Sequence, residues 1–113
     1  MAGTLKTHTT LTSAGVWSKV MGQGVRGLTA TDEYTATVQV QNRGGTKATA
    51  MIALVDGNSQ PEDDDAGVMR PIELASNTIQ PVTGIVCEAG YTIWVKTSQT
   101  ANVWASCVFN STT

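Results

Sequence analysis

The chain has 113 residues, which is the size of one domain and long enough to bury roughly two-thirds of the unfolded surface in a single core. Hydrophobic residues make up 41% of the chain and charged residues only 14%, so we expect a polar but weakly charged surface. The net charge of -2 argues against nucleic acid as a partner, because phosphate binding needs clustered Lys and Arg.

Charge is distributed unevenly along the chain. Residues 1–50 hold five basic and two acidic side chains, a balance of +3, whereas residues 51–113 hold two basic and seven acidic side chains, a balance of -5. This asymmetry would favour head-to-tail contact between copies, and ordinary scatter over one surface explains it equally well.

The N-terminal residues and the two cysteines bear on the compartment. Residues 1–6 lack the apolar region of a secretory signal, and no apolar run reaches the length that spans a membrane. We therefore expect synthesis in a cytoplasm and no membrane partner. Cys87 and Cys107 are too few for a disulfide framework, and we predict buried free thiols in preference to a disulfide bond.

The first predicted element is rich in threonine. Residues 4–12 have Leu5 and Leu11 as their strong apolar anchors, which predicts an extended arm or an edge strand. We accordingly divide the chain into an arm or edge strand over residues 1–14 and a β-sandwich domain over residues 15–113. A short strand is predicted over residues 16–20, followed by a glycine-rich loop or bulged strand.

Two alternating strands are predicted in the centre of the chain. Residues 33–41 alternate between apolar and polar side chains, and residues 47–55 do the same after the turn sequence Asn42-Arg43-Gly44-Gly45. This predicts a hairpin, with an odd-numbered loop so that both apolar faces meet one core. Residues 46–54 would also score as a helix, but the preceding turn and strand favour a strand.

Less regular elements follow. Residues 56–67 predict a long acidic loop, and residues 68–74, interrupted by Pro71, predict at most a short edge strand. Another strand is predicted over residues 78–87, with Pro81 and Gly84 marking a bend or bulge.

The last third of the chain predicts a hairpin built from residues 89–96 and 102–109. In the expected register Lys96 faces Asn102, which places Trp94 beside Trp104 on a polar outer face. The remaining alternate positions form a core face, made of Tyr91, Ile93, Val95, Val103, Ala105, Cys107 and Phe109.

The predicted elements amount to seven to nine short strands with frequent turns and no convincing helix. The expected fold class is therefore all-β, an antiparallel β-sandwich or a jelly-roll-like arrangement.

Catalytic chemistry is hard to assemble from these residues. The one histidine, His8, lies in the threonine-rich arm, where an exposed polar role is expected, and no nucleophile or zinc-ligand pattern surrounds it. Gly22, Gly24 and Gly27 match a phosphate-loop spacing without the helix that gives that loop its mechanism. We predict no enzymatic activity, no cofactor, and no catalytic or metal-binding residues.

The acidic run Glu62-Asp63-Asp64-Asp65 has three interpretations. A solvated loop is favoured, because the alternating ligand spacing of a calcium loop is missing. Calcium binding, or contact with a basic surface on a neighbouring subunit, remain the alternatives.

Trp94 and Trp104 are the sharper functional observation. Exposed tryptophans would mark a protein interface or a sugar-stacking platform, because large aromatic rings dominate the energetics of contacts. The structural alternative is that both rings belong to a core.

Several short segments resemble small β-sandwich structural proteins of tailed bacteriophages. They run from Val40 to Ala48, from Ala53 to Gly57, from Ile72 to Leu74 and from Ala89 to Val95, and the resemblance covers about residues 33–109. Capsid decoration (cement), head-fibre and tail proteins share such strands and a final hairpin.

The resemblance implies a non-enzymatic, multicopy virion component, made in the host cytoplasm and forming a homo-oligomer, with a trimer favoured. Its partners would be copies of itself and other virion proteins, such as the major capsid protein. A decoration protein is expected first and a tail or fibre component second, while a carbohydrate-binding module is the alternative from another class. The expected interface residues are Leu5, Thr7, Thr9, Leu11, Trp94 and Trp104.

Overall fold

Eight β-strands form the described part of the chain, which comprises residues 5–11, 15–22, 33–61, 72–98 and 103–111 of a computed structural model; these residues contain no helix. The strands make two four-stranded antiparallel sheets, with the order β1-β8-β3-β6 in the first sheet and β2-β7-β4-β5 in the second. The predicted all-β sandwich and its strand count are confirmed. The strands are β1 (Leu5–Leu11), β2 (Ser18–Met21), β3 (Tyr34–Asn42), β4 (Ala48–Asp56), β5 (Ile72–Leu74), β6 (Thr78–Cys87), β7 (Tyr91–Thr97) and β8 (Val103–Ser111).

The topology is that of one long hairpin folded over on itself. β1 pairs with β8, β2 with β7, β3 with β6 and β4 with β5, so pairing is symmetric about the loop between β4 and β5. Additional pairing of β3 with β8 and of β4 with β7 completes the two sheets. This arrangement is a jelly roll. Every link between consecutive strands except the β4–β5 loop therefore crosses from one sheet to the other.

Both predicted hairpins are wrong in their pairing. β3 and β4 lie in different sheets, and so do β7 and β8. Val95 pairs with Ile52 and Ser18, whereas Val103 pairs with Asn42. The physical reason is that alternation reveals which face of a strand is buried but not which strand lies beside it, and a short polar loop serves a sheet crossing as well as a hairpin.

The predicted core faces are largely confirmed. Tyr34, Ala36, Val38 and Val40 of β3 are buried, and so are the inward residues of β4, β7 and β8, while Leu54 and Tyr91 are half-buried against the core. β4 also settles the helix alternative for residues 46–54 in favour of a strand. The inward residues described as buried in these three strands are Ala48, Ala50, Ile52, Ile93, Val95, Val103 and Ala105, and the side chains of Cys107 and Phe109 lie outside the described residues.

Three smaller predictions can be compared directly. β6 has a bulge between the pairs Ala36–Ile85 and Val38–Val82, where Gly84 predicted a bend. β5 is a three-residue strand at the edge of the second sheet, as Pro71 suggested. β2 begins at Ser18 rather than at residue 16, and Val16 is half-exposed.

Asn42, the last residue of β3, joins the two sheets through a buried side-chain amide. Its side chain has 0% exposure. Nδ2 donates to the carbonyl oxygens of Thr46 at 2.8 Å, Leu74 at 3.2 Å and Ala75 at 3.4 Å. Oδ1 accepts the backbone N–H of Gly44 at 2.9 Å. One side chain thus fixes the β3–β4 crossing and ties it to the end of β5. No buried side-chain nitrogen or oxygen in the described residues lacks a hydrogen-bond partner.

We expect Asn42→Ala to lower the free energy of unfolding by about 2–4 kcal/mol, because it leaves buried backbone groups without hydrogen-bond partners. Urea denaturation monitored by tryptophan fluorescence measures this loss. The matched control is Asn58→Ala, which removes an exposed amide whose partner is Lys19 and should change stability by less than about 0.5 kcal/mol. Equal losses in the two variants would contradict the role assigned to Asn42.

Candidate functional site

Trp94 and Trp104 lie on opposite sides of the sandwich. Trp94 belongs to β7 of the second sheet, and Trp104 to β8 of the first. Both side chains are half-buried and alternate with core residues, so both point away from the core. The predicted arrangement of two adjacent tryptophans on one face is therefore wrong, although the outward direction of each ring is right.

β1 brings the other four predicted interface positions into line with Trp104. It pairs with β8 over its full length, and its partners for Leu5, Thr7, Thr9 and Leu11 are Asn110, Val108, Ser106 and Trp104. The backbone register thus groups five of the six predicted positions on the first sheet. Trp94 is the one that is separated from them.

The outer face of the first sheet is polar around one aromatic residue. Gln41 pairs with Trp104 on one side and with Ile79 on the other, so these three residues form a row across three strands. Ile79 is 54% exposed and adds an apolar side chain to this row. The Arg43 guanidinium carbon lies 5.2 Å from the centre of the Trp104 ring, within cation–π range. We call Trp104, Gln41, Ile79 and Arg43 the Trp104 surface.

The outer face of the second sheet is more apolar. Ala53 lies opposite Trp94 in the β4–β7 ladder and has 0% exposure, and Trp17 has 5%, yet neither belongs to the core cluster. The Lys96 ammonium lies 5.9 Å from the centre of the Trp17 ring. These residues are neighbours on the outside of the sheet, since Met51 pairs with Lys96 in the same ladder, and we call Trp17, Met51, Ala53, Trp94 and Lys96 the Trp94 surface.

Hydrogen bonds hold the Trp94 ring in place. Its Nε1–H donates to Thr92 Oγ1 at 2.8 Å, and that hydroxyl donates to the carbonyl oxygen of Gly57 at 2.6 Å. Gly22 packs directly on Thr92, where an added Cβ would lie 2.9 Å from the Thr92 Cβ. Trp94 therefore has a structural role in joining β7 to the loop after β4, whether or not it also contacts a partner.

A shallow cavity of about 240 Å³ adjoins the Trp94 surface and has an almost wholly apolar lining. The backbone groups around it are bonded to one another: Gly15 N–H to the Thr97 carbonyl at 2.9 Å and Ser98 N–H to the Thr49 carbonyl at 2.9 Å. Such a cavity can accept an apolar side chain. Its lining residues are Gly15, Thr49, Met51, Lys96, Thr97 and Ser98.

Cys87 is a buried free thiol, as predicted. Burial raises its pKa from 9.0 to about 11, and a hydrogen bond with Tyr34 opposes this rise only in part. The sulfur is consequently protonated at neutral pH and is a poor nucleophile.

The described residues offer neither a metal cluster nor a membrane-spanning helix. No group of three His, Cys, Asp or Glu side chains in the described residues is placed to hold a metal ion. The acidic run at residues 62–65 and the glycines at 24 and 27 lie outside the described residues, so their interpretations remain predictions. Among the residues that the structure covers, no helix is long and apolar enough to cross a membrane.

Sequence reasoning missed Arg43, Met51 and Trp17. In the sequence Arg43 is part of a turn signal, and its contact with Trp104 arises only from the crossing between the sheets. A pattern did exist for the Trp94 surface, since the outward positions of β4 include Met51, Ala53 and Val55 where a solvated face would carry polar side chains.

The raised pKa of Cys87 predicts a pH dependence. An unfolded thiol loses its proton near pH 9 and the folded one near pH 11, so the folded state holds the proton more tightly and its stability falls as pH rises through this window. We expect the free energy of unfolding to fall by about 2 kcal/mol more in the natural chain than in Cys87→Ala between pH 8.5 and 11. Parallel pH profiles from urea denaturation would contradict this.

Truncating each tryptophan should separate its structural role from any interface role. Trp94→Ala uncovers Ala53 and breaks the bond to Thr92, so we expect a loss of about 2 kcal/mol in the free energy of unfolding. Trp104→Ala, whose ring contacts a flexible arginine, should cost under about 1 kcal/mol. Urea denaturation of both variants gives the comparison, and a larger loss for Trp104→Ala would reverse the assignment.

Comparison with known proteins does not place the chain in a family. No family model matches the sequence, and no curated protein matches it either.

Proposed function

We propose that this chain is a non-enzymatic structural subunit of a bacteriophage particle, most specifically a capsid decoration or cement protein. It would be made in the host cytoplasm and incorporated in many copies into the virion. Its partners would be other copies of the chain and virion proteins such as the major capsid protein. A tail or fibre component is the second form of the same proposal.

The observation that carries the proposal is the presence of two different aromatic surfaces on opposite sides of a small jelly roll. The Trp104 surface combines an aromatic ring, an arginine and an exposed isoleucine, residue types that are common at protein contacts. The Trp94 surface adds an apolar cavity on the other side. A subunit with contacts on two sides can touch two neighbours at once, as a component of a shell must.

Multiplicity explains how modest surfaces would suffice. Each surface contains one tryptophan and few charges, so the affinity of a single contact is expected to be low. Once one contact has formed, the remaining contacts form at a high effective concentration, which raises the total binding strength without any new interaction. The protonated, buried thiol of Cys87 fits a structural role rather than a chemical one.

A carbohydrate-binding module remains the alternative from another class, and the geometry weakens it. That hypothesis used two adjacent rings as one stacking platform, whereas Trp94 and Trp104 are on different sheets. Arg43 lies over Trp104, and the Trp94 ring is fixed to Thr92. A sugar would have to displace one of these partners or use the remaining area of a single ring.

The direct test is to look for the chain in particles produced from the genome that encodes it. We expect quantitative mass spectrometry of purified particles to find many copies, and antibody labelling to place them on the capsid. Labelling confined to the tail would select the second form of the proposal. Absence from purified particles would overturn it, and specific binding on a glycan array would then favour the alternative.

Trp104→Ala tests the contact surface itself. We expect its affinity for particles that lack the chain to fall about 30-fold or more, as for a tryptophan at the centre of an interface, while the fold is retained. Thr35→Ala is the matched control, because Thr35 is exposed on the same sheet but lies away from this row. Equal affinity of the two variants in a sedimentation assay would exclude Trp104 from the contact.

A further inference from the structure

The four sheet edges differ in their capacity to accept another strand. β6 carries Pro81, which has no N–H to donate, and a bulge interrupts its ladder. β5 has three residues, and β2 has four with a register shift between Lys19 and Met21. β1 is different, because it pairs with β8 through seven consecutive residues without a shift and contains no proline.

An uninterrupted edge strand is a template for further pairing. Its outer side presents backbone N–H and C=O groups in the spacing that another strand matches, and proteins usually block such edges with prolines, bulges or very short strands. Each of the other three edges has one of these devices. β1 lies at the end of its sheet, and no described strand pairs with its other side.

The sequence of β1 is close to self-complementary. Read from either end, Leu5-Lys6-Thr7-His8-Thr9-Thr10-Leu11 has leucine at both ends, threonine on both sides of the centre and His8 in the middle. An antiparallel partner centred on His8 would put Leu5 opposite Leu11 and Thr7 opposite Thr9. Lys6 would face Thr10 rather than another lysine, and such leucine and threonine pairs are favourable across strands.

We propose that β1 pairs with β1 of a second copy about a two-fold axis at His8, which joins two first sheets into one continuous eight-stranded sheet. If residue i of one chain faces residue j of the other, then residue j of the first chain faces residue i of the second, as a two-fold interface requires. The inference rests on the self-association contained in the proposed function. It replaces the trimer that the resemblance implies by a dimer.

In the proposed dimer the predicted interface positions fall into two groups, one on the joined first sheets and one on the second sheet of each copy. Leu5, Thr7, Thr9 and Leu11 are in register with the β8 positions that include Trp104, so the Trp104 surfaces of the two copies would lie on the same side of the joined sheet. The Trp94 surface would remain outside this contact, on the second sheet, and available to another virion protein.

A charge exchange at positions 7 and 9 tests the register. In the proposed dimer residue 7 of one chain faces residue 9 of the other, so Thr7→Lys/Thr9→Lys sets like charges opposite each other, and Thr7→Glu/Thr9→Glu does the same with acids. We expect the unmodified chain to show twice its 11.9 kDa mass by light scattering. Each double variant alone should be at least 10-fold weaker in dimerisation.

An equimolar mixture of the two double variants is the decisive sample. We expect it to recover a dimer that contains one copy of each, by native mass spectrometry, and this recovery also demonstrates that both variants are folded. The matched control is Thr37→Lys/Gln39→Lys, the same change in the same two rows of the first sheet but on the central strand β3, which should leave the dimer intact.

Three results would overturn the inference: a monomer, a trimer, or a mixture that stays monomeric. A dimer that both double variants retain would also exclude β1 as its interface. None of these results bears on the presence of the chain in particles, so a failed β1 pairing and a failed virion proposal are separately visible. Pairing of β1 with a strand of a different protein would appear as a monomer that binds particles only when positions 7 and 9 are unchanged.

Discussion

The buried amide of Asn42 is the interaction on which the arrangement of the two sheets depends. β3 is tied to the second sheet at both of its ends: at Asn42 through three carbonyl oxygens, and at Tyr34, whose hydroxyl donates to the Tyr91 carbonyl at 3.3 Å. Apolar packing between sheets has little directional preference, whereas these hydrogen bonds require one relative position. They therefore select the alignment in which β3 and β4 face each other across the core instead of pairing side by side.

The same crossing places the residues of the Trp104 surface. Arg43 directly follows Asn42, and the Gly44 N–H bonded to Asn42 Oδ1 fixes the backbone on its other side. The guanidinium is thereby held over Trp104, which lies on β8, five strands after β3 in the sequence but next to β3 in the first sheet. On the opposite side, the Trp94 ring is fixed by Thr92 and Gly57 at the β4–β5 end of the molecule. Each aromatic surface is thus supported by a loop that also determines the fold.

The sequence pattern predicts which side chains are buried better than it predicts which strands pair. Alternation in β3, β4, β7 and β8 identified the buried faces correctly, because a strand has a period of two whatever its neighbours are. Pairing was not predictable in the same way, since the Asn42-Arg43-Gly44-Gly45 turn suits a hairpin and a crossing equally, and the decision depends on the distant Leu74 carbonyl. Trp94 and Trp104 were accordingly placed outward but given the wrong neighbours. Met51 and Ala53 were visible as apolar outward residues, but nothing nearby in sequence showed that Trp17 and Lys96 accompany them.

The folded-over hairpin also sets an order in which the molecule can be assembled. Leu5 pairs with Asn110, so β1 is synthesised about 100 residues before its partner strand β8 and has to wait for it. The first local pairing available is between β4 and β5, and the ladders further out close loops of increasing length, at an entropic cost that grows with each step. Folding is consequently expected to be slow for a chain of this size. Until β8 is made, both edges of β1 are unpaired and exposed to solvent. Its threonine-rich sequence makes aggregation at this stage less favourable than a more hydrophobic strand would.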